Sequence, residues 1–154
     1  MARYWIGLAE RDSVHAAVAN GVCVFSGGKA SPVRKLEPGD GILYYSPHES
    51  AGGAVLECFT AVGEVVDDAP WTQNWTQICA GGPYLSQGAA RQSGLTWVRR
   101  CDYDAVGEVS VRPLLSELRF VAQPRHWGRT FHRGQMEIGA ADFFRIADRL
   151  RAVA

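Results

Sequence analysis

The stretch WGRTFHRGQMEI, residues 127–138, carries the most information in this chain. It stands with two other blocks, GKASPVRKLEPGDGILYYSP (28–47) and FTAVGEV (59–65). None of the three holds a catalytic signature. They set aromatic rings and cationic side chains beside glycine turns, the chemistry of a pocket that grips a flat ring. The turn signal Pro38-Gly39-Asp40-Gly41 opens an apolar and aromatic run at 42–46, which reads as strand. After a Gly52-Gly53 loop, residues 58–66 read as a second long strand.

Outward from these blocks the pattern stays mixed. Residues 3–9 form a first strand, with Tyr4, Ile6 and Leu8 on one face and Trp5, Gly7 and Ala9 on the other. Asp12 or Ser13 can cap a short helix that runs to Asn20 and ends at Gly21. Residues 22–25 are strand-like, Gly27-Gly28 begins a loop to Pro32, and 94–102 return to strand character. Pro113 suits the first position of a short helix whose inner side carries Leu114, Leu115 and Leu118. From Ala141, the positions of Phe143, Ile146, Ala147 and Leu150 have helical spacing, with Arg145, Asp148 and Arg149 opposite. Residues 67–93, with Trp71 and Trp75, read as a variable surface insertion holding at most one short strand. Many strands and few helices predict an α+β fold: a β-barrel of five to six mainly antiparallel strands, flanking short helices and a C-terminal helix. The whole chain, 1–154, is expected to form one domain.

Composition narrows the function classes. Sixteen basic and sixteen acidic residues give a net charge of zero, so the chain as a whole has no footprint for DNA backbone. The distribution is less even. From Arg91 to Arg133 there are eight arginines against four acids, a local excess of 8 − 4 = +4 that fits a basic face or a solvated arginine-rich surface. The four cysteines (23, 58, 79, 101) have no CxxC pairing and the four histidines do not cluster, so no metal site is expected. With no leader-like N-terminus and no apolar run of spanning length, a cytoplasmic protein without membrane contact is expected.

Familiar catalytic signatures fail on their own chemistry. SGGKAS (26–31) lacks the glycine five residues before Gly-Lys, where Cys23 stands, and the hydroxyl after Lys29, where Ala30 stands. Ser46-Pro47-His48-Glu49 puts a hydroxyl, an imidazole and a carboxylate together, but neighbours on an extended chain point to opposite faces. No cofactor motif is present.

Gripping one base outside a duplex needs walls that stack on its ring and polar groups that read its edge. Trp5, either Tyr44 or Tyr45, Trp97 with Arg99, and Trp127 with Phe131 could supply walls, while Arg129 and Arg133 could meet a phosphate. Lys29, behind two glycines, is a candidate anion contact. The same aromatics could equally fill core, and the arginines could equally serve as surface charge or ion pairs.

Taken in order, YWIGLAERDSV, the GKASP loop, KLEPGDGILYYSP, FTAVGEV, VRR (98–100), VRPLLSELRF and WGRTFHRGQMEI followed by DFFRIA resemble the EVE domain family. That family is PUA-like and related to the YTH readers and the ASCH domains. The resemblance spans nearly the whole chain apart from 67–93, and seven collinear blocks carry it. It implies a PUA-like barrel and binding of a modified nucleobase, a methylated cytosine or adenine, in DNA or RNA. By position it implies a pocket built from Trp5, Tyr45, Ser46, Trp97 and Arg99, with a rim of Trp127, Arg129 and Phe131. The chain departs from the pattern at Cys101, which separates Arg99-Arg100 from Asp102.

The leading expectation is thus a non-enzymatic module that inserts a modified base into an aromatic pocket. A reader this short would need a partner, a nuclease or other effector protein, to turn recognition into cleavage. Two alternatives stand beside it. One is an ASCH-like amide hydrolase on modified nucleosides, with Lys29 as an amine desolvated near Tyr45. The other is a protein-interaction barrel without ligand, with the tryptophan-bearing insertion as its contact surface.

Overall fold

The computed structural model describes residues 2–74, 95–122, 124–132 and 134–154, without the side chains of His126, Arg129 and His132. Seven strands make one curled mixed sheet, a half-barrel: β1 (Tyr4–Leu8), β2 (Val22–Cys23), β3 (Gly41–His48), β4 (Val55–Val65), β5 (Trp71–Asn74), β6 (Leu95–Ser110) and β7 (Gln135–Ile138). Their order is β2-β6-β4-β3-β1-β7, with β5 also paired to β6. Among the described residues only β1 and β3 run parallel; their connection passes through helices α1 (Arg11–Ala19) and α2 (Ala30–Arg34). Helix α3 (Ala140–Val153) closes the chain.

The period-2 pattern sorts the core into two layers. Ile6, Leu43, Tyr45, Phe59 and Val62 face α3, whose Phe143, Ile146, Ala147 and Leu150 pack against them. Trp5, Ile42, Tyr44, Ala61 and Val65 face the other way, toward Val14 of α1 and Val33 of α2. The first strand's alternation and the opposition of Tyr44 and Tyr45 are therefore as the sequence predicts. Gly7 belongs to the second layer, where an added Cβ would lie 2.4 Å from the Phe25 ring and 3.0 Å from the Tyr44 ring. Only glycine lets those two rings close over the strand.

The sheet curls where its register slips. β4 carries an extra residue between the Tyr44 and Tyr45 rungs of β3 and another between those of Ser46 and His48; β6 in turn carries extra residues opposite Phe59–Ala61 and Val62–Gly63. Such bulges sharpen the local right-handed twist and bend the strand. One of them includes Glu57 at φ 55, a left-handed conformation costly for a residue with a side chain.

Several elements differ from the sequence-based reading. β6 runs on to Ser110 rather than stopping near 102, because Cys101 and Ala105 are buried while Asp102 and Asp104 are exposed. Among the described residues the sheet has seven strands, of which β5 and β7 are only four residues long. Residues 30–34, expected as loop, form α2. Of the expected insertion, Trp71–Asn74 is strand β5; Trp75 and the rest up to 93 lie outside the described residues.

Candidate functional site

A cleft opens where the sheet leaves its α1 side. Its walls are Leu8, Ala9 and Glu10 at the end of β1, Ser13, Val14 and Ala17 on one side of α1, Val24, Ser26 and Gly27 after β2, and Tyr44 of β3. Its cavity volume is ≈ 70 Å³. Elementary constraints build it. Leu8 is the last residue of its strand, and its N–H donates to Gly134 O at 3.2 Å. α1 begins at Arg11 and presents Ser13 and Ala17, four residues apart and so on one face. The chain leaves β2 through Ser26, Gly27 and Gly28, all left-handed, at φ 51, 73 and 89. At Gly28 an added Cβ would lie 2.6 Å from Thr96, so this turn sits hard on β6, and the Trp97 N–H holds it through Gly28 O at 3.0 Å.

The cleft has an aromatic wall. The Tyr44 ring stacks on Phe25, 5.8 Å between centroids at 24°. Its hydroxyl accepts from Val24 N–H at 2.9 Å and donates to Val24 O at 2.8 Å, which fixes the ring and engages the phenol. Burial pushes the Tyr44 phenol well above its ordinary range, with buried Cys23 adding to the shift. Tyr103, whose hydroxyl donates to Val22 O at 2.7 Å, is pushed the same way by burial, with Tyr44 adding to it.

That shift has a consequence for stability. Both phenols are acids whose folded-state pKa is raised, so their contribution is complete below the unfolded value of 10.0. As pH rises past it, the unfolded chain loses protons that the folded chain keeps. The two tyrosines together are expected to lower the unfolding free energy above pH 10 by about 3 kcal/mol per pH unit, in addition to a loss that sets in near pH 9 from the Cys23 and Cys58 thiols, which the fold also raises. Tyr44→Phe should halve the tyrosine slope. It should also lower the stability at pH 7 by about 1–3 kcal/mol, because the Val24 amide and carbonyl lose their partner. Urea unfolding at pH 7, 9 and 10.5 checks this; stability unchanged at pH 10.5 would refute it.

The residues named from the sequence divide into three groups. Tyr45, Trp127 and Phe131 come together, but in the α3 layer: Tyr45 and Phe131 stack at 4.3 Å and 24°, and Trp127 meets both edge-on at 6.4 and 6.1 Å. These rings fill one another's faces. Trp127 is half-buried, with Arg112 5.4 Å above its ring. Trp5, Ser46 and Arg99 are internal. The Trp5 indole N–H donates to Asp40 at 3.1 Å, and the Ser46 hydroxyl pairs with Thr60 at 2.9 Å. The Arg99 guanidinium, 1% exposed, donates to Asp67 and to the carbonyls of Val33 and Leu36. Lys29 and Trp97 form the third group, beside the cleft. Lys29 is exposed at the N-cap of α2, directly after the turn that lines the cleft, and half-buried Trp97 holds that turn, with Arg34 5.8 Å from its ring. Arg133 and the Arg129 side chain lie outside the described residues.

Glu10, Ser13, Ser26 and Gly27 were not singled out as site residues from the sequence, whereas Tyr44 was one of the two tyrosines expected to line a pocket. The glycine pair at 27–28 and the strand-to-helix passage at 8–13 were the available signals. Tyr44 and Tyr45 were placed on opposite faces, and it is Tyr44 that reaches this cleft. Electrostatics separates the cleft from a wider groove beside α3. That groove carries Glu64, Asp102 and Asp104 against Arg151 and repels a phosphate backbone. The exposed Arg100, Arg112, Arg119 and Arg125 are what remains of the predicted basic face among the described side chains. Among the described residues no group of three or more His, Cys, Asp or Glu could hold a metal ion, and no helix is long and apolar enough to cross a membrane.

Comparison with known proteins fits this architecture. The computed fold is similar to the YTH domain of Zygosaccharomyces rouxii MRB1, solved in complex with N6-methyladenosine RNA. The TM-score is 0.61 at 15% identity, over 97% of this chain and 85% of that one. It is also similar to a hypothetical protein from Leishmania major, at TM-score 0.54 and 13% identity over 99% and 96%. In sequence the chain is 33% identical to a UPF0310 protein of Mesorhizobium japonicum over 99% of its length and 94% of the relative's. It is 31% identical to the UPF0310 protein YdcG of Bacillus subtilis, over 94% and 89%. The model of the EVE domain matches residues 3–149, and the chain belongs to that family.

Proposed function

We propose that this protein is a non-enzymatic reader of a modified nucleobase, methylated cytosine or adenine in type, in DNA or RNA. It takes the base out of its strand and seats it in the cleft between the end of β1, the first turns of α1 and the 26–28 turn. The observation that carries this reading is the cleft itself. It combines a fixed aromatic ring with aliphatic walls and a few polar groups, beside an exposed lysine and a half-buried tryptophan. An apolar slot with few polar groups fits a flat heterocycle. Exposed Lys29, directly after the turn that lines the cleft, could meet a phosphate of the strand, and Trp97, with Arg34 over its ring, could meet a neighbouring base. The similarity to a YTH domain solved with N6-methyladenosine RNA supports the ligand class. Zero net charge implies weak grip on the backbone, so selectivity lies in the cleft. A separate nuclease or other effector in the cytoplasm would act on what the module finds.

The enzymatic alternative needed Lys29 desolvated beside Tyr45. Lys29 is exposed, and Tyr45 faces the other layer of the core, so the amine lacks that environment.

Tryptophan fluorescence, titrated with short single strands carrying 5-methylcytosine, 5-hydroxymethylcytosine, N6-methyladenine or no modification, tests the proposal. One modified strand is expected to bind at least about tenfold more tightly than its unmodified counterpart, a difference of ~1.4 kcal/mol. Trp97→Ala should weaken that binding. Equal or absent binding of every strand at low salt would end the reading.

A further inference from the structure

We infer that Glu10 sets what the cleft can accept: an inserted base whose leading edge carries an exocyclic amine rather than a carbonyl. The inference rests on the base-insertion reading above and adds to it the residue that reads the edge.

The polar groups of the cleft decide the point. Tyr44 is unavailable, since its hydroxyl is engaged with both the amide and the carbonyl of Val24. The N–H groups of the β1 wall are engaged too, Leu8 with Gly134 O and Ala9 with Tyr45 O, both at 3.2 Å. The hydroxyls of Ser13 and Ser26 can donate or accept, so they do not choose between edges. Glu10 alone among the lining side chains has a fixed sign, because a carboxylate accepts and does not donate.

Its placement leaves it free to act. Glu10 is the N-cap residue of α1, yet its side chain makes no capping bond to the helix. The cation beside it in sequence, Arg11, is drawn instead to three other carboxylates: Asp12 at 3.4 Å, Glu49 at 3.3 Å and Glu108 at 3.6 Å. Among the described residues no cation lines the cleft. Half-buried Glu10 therefore has no basic partner among the described residues of the cleft wall, against the aliphatic surfaces of Leu8, Val14, Ala17 and Val24. An amine meets it with a charge-assisted hydrogen bond. A carbonyl sets lone pairs against lone pairs and leaves both groups unsatisfied where water is scarce. Carboxylates accept from the cytosine amine in the same way in the major groove.

The test uses pairs of bases in which the exocyclic amine becomes a carbonyl and, with it, the neighbouring ring nitrogen turns from acceptor to N–H donor. One is 5-methylcytosine against thymine at the same place in a short strand; the other is N6-methyladenine against hypoxanthine. The wild-type chain is expected to bind the amine member of a pair at least about tenfold more tightly. Glu10→Gln, whose amide can turn either an oxygen or an NH2 to the ligand, should shrink that ratio to within about twofold. The thermal midpoint should stay unchanged, because no capping bond is removed. Equal binding of amine and carbonyl strands by the wild type would overturn the inference. So would a ratio preserved in Glu10→Gln, or a loss in that variant shared equally by both members. Binding to none of the four strands would instead overturn base insertion itself.

Discussion

Ser13→Trp is expected to lower affinity for the preferred modified strand by about a hundredfold, ~2.7 kcal/mol, with the fold intact. Ser13 lies on α1 at the cleft wall, half-buried, beside Val14 and Ala17. An indole placed there has two choices, open solvent or a slot walled by Leu8, Val24 and the Tyr44 ring. Burial of its apolar surface favours the slot. A nucleobase must then displace a side chain that occupies the same space without losing translational freedom. The expected loss is of the size that base stacking contributes, about 1–3 kcal/mol. Because Ser13 makes no bond that holds α1 to the sheet, the circular dichroism spectrum and thermal midpoint should stay near those of the parent. If Ser13→Trp binds as well as the parent, the base goes elsewhere. The half-buried Trp127 face, with Arg112 above it, is then the next place to look.

The reading of this chain from its residues divides along a physical line. Period-2 alternation placed Ile6 and Tyr45 on one face and Trp5 and Tyr44 on the other, because a strand gives each residue only two directions. α3 was legible from Phe143, Ile146, Ala147 and Leu150 for the matching reason at helical period. Short elements escaped. α2 spans five residues and contains Pro32, so it offers too few turns for a period to show. β7 is four residues long and owes its pairing to β1, a partner more than 120 positions away.

The site was less legible than the fold, and Arg99 shows why. An arginine two residues from a tryptophan on one strand has the composition of a phosphate contact and also of an internal clamp. What separates them is whether a carboxylate and carbonyls from distant segments reach it. Asp67, 32 positions away, and Val33 and Leu36, 66 and 63 away, do so. Conversely, the cleft is made of Leu8, Ala9, Ser13 and Ala17, residue types that carry no chemical signature one by one. Its character exists only once β1, α1 and the 26–28 turn are brought together.

The framework reading of Arg99 can be decided by mutation. Arg99→Met is expected to destabilise the protein by about 3–5 kcal/mol, a large part of the roughly 5–15 kcal/mol typical of a folded protein. The guanidinium joins three parts of the fold. Its Nε donates to Asp67 Oδ1 at 2.6 Å and its Nη2 to Asp67 O at 2.7 Å. Its Nη1 donates to Val33 O at 2.9 Å, which also accepts from the Leu36 N–H at 3.4 Å, and to Leu36 O, just beyond the C-terminal end of α2. Asp67 in turn accepts from the Arg100 amide at 2.8 Å. Methionine fills the volume but removes the donor to Leu36 O, Asp67 O and Asp67 Oδ1 and one of the two donors to Val33 O, and the penalty falls on each group left short. Arg99→Lys should recover little, because one ammonium cannot span donors held at the fixed angles of a guanidinium. Asp67→Asn combined with Arg99→Met should cost less than the sum of the two single changes, as for groups that share one network. Thermal and urea unfolding measure all three. Binding should fall as well, but indirectly: α2 carries Lys29 at its N-cap and follows the turn that lines the cleft, so loosening its C-terminal end frees both. A direct ligand contact would give the opposite pattern, lost affinity with a thermal midpoint within about 2 °C of the parent. That outcome would return Arg99 to the nucleic-acid interface.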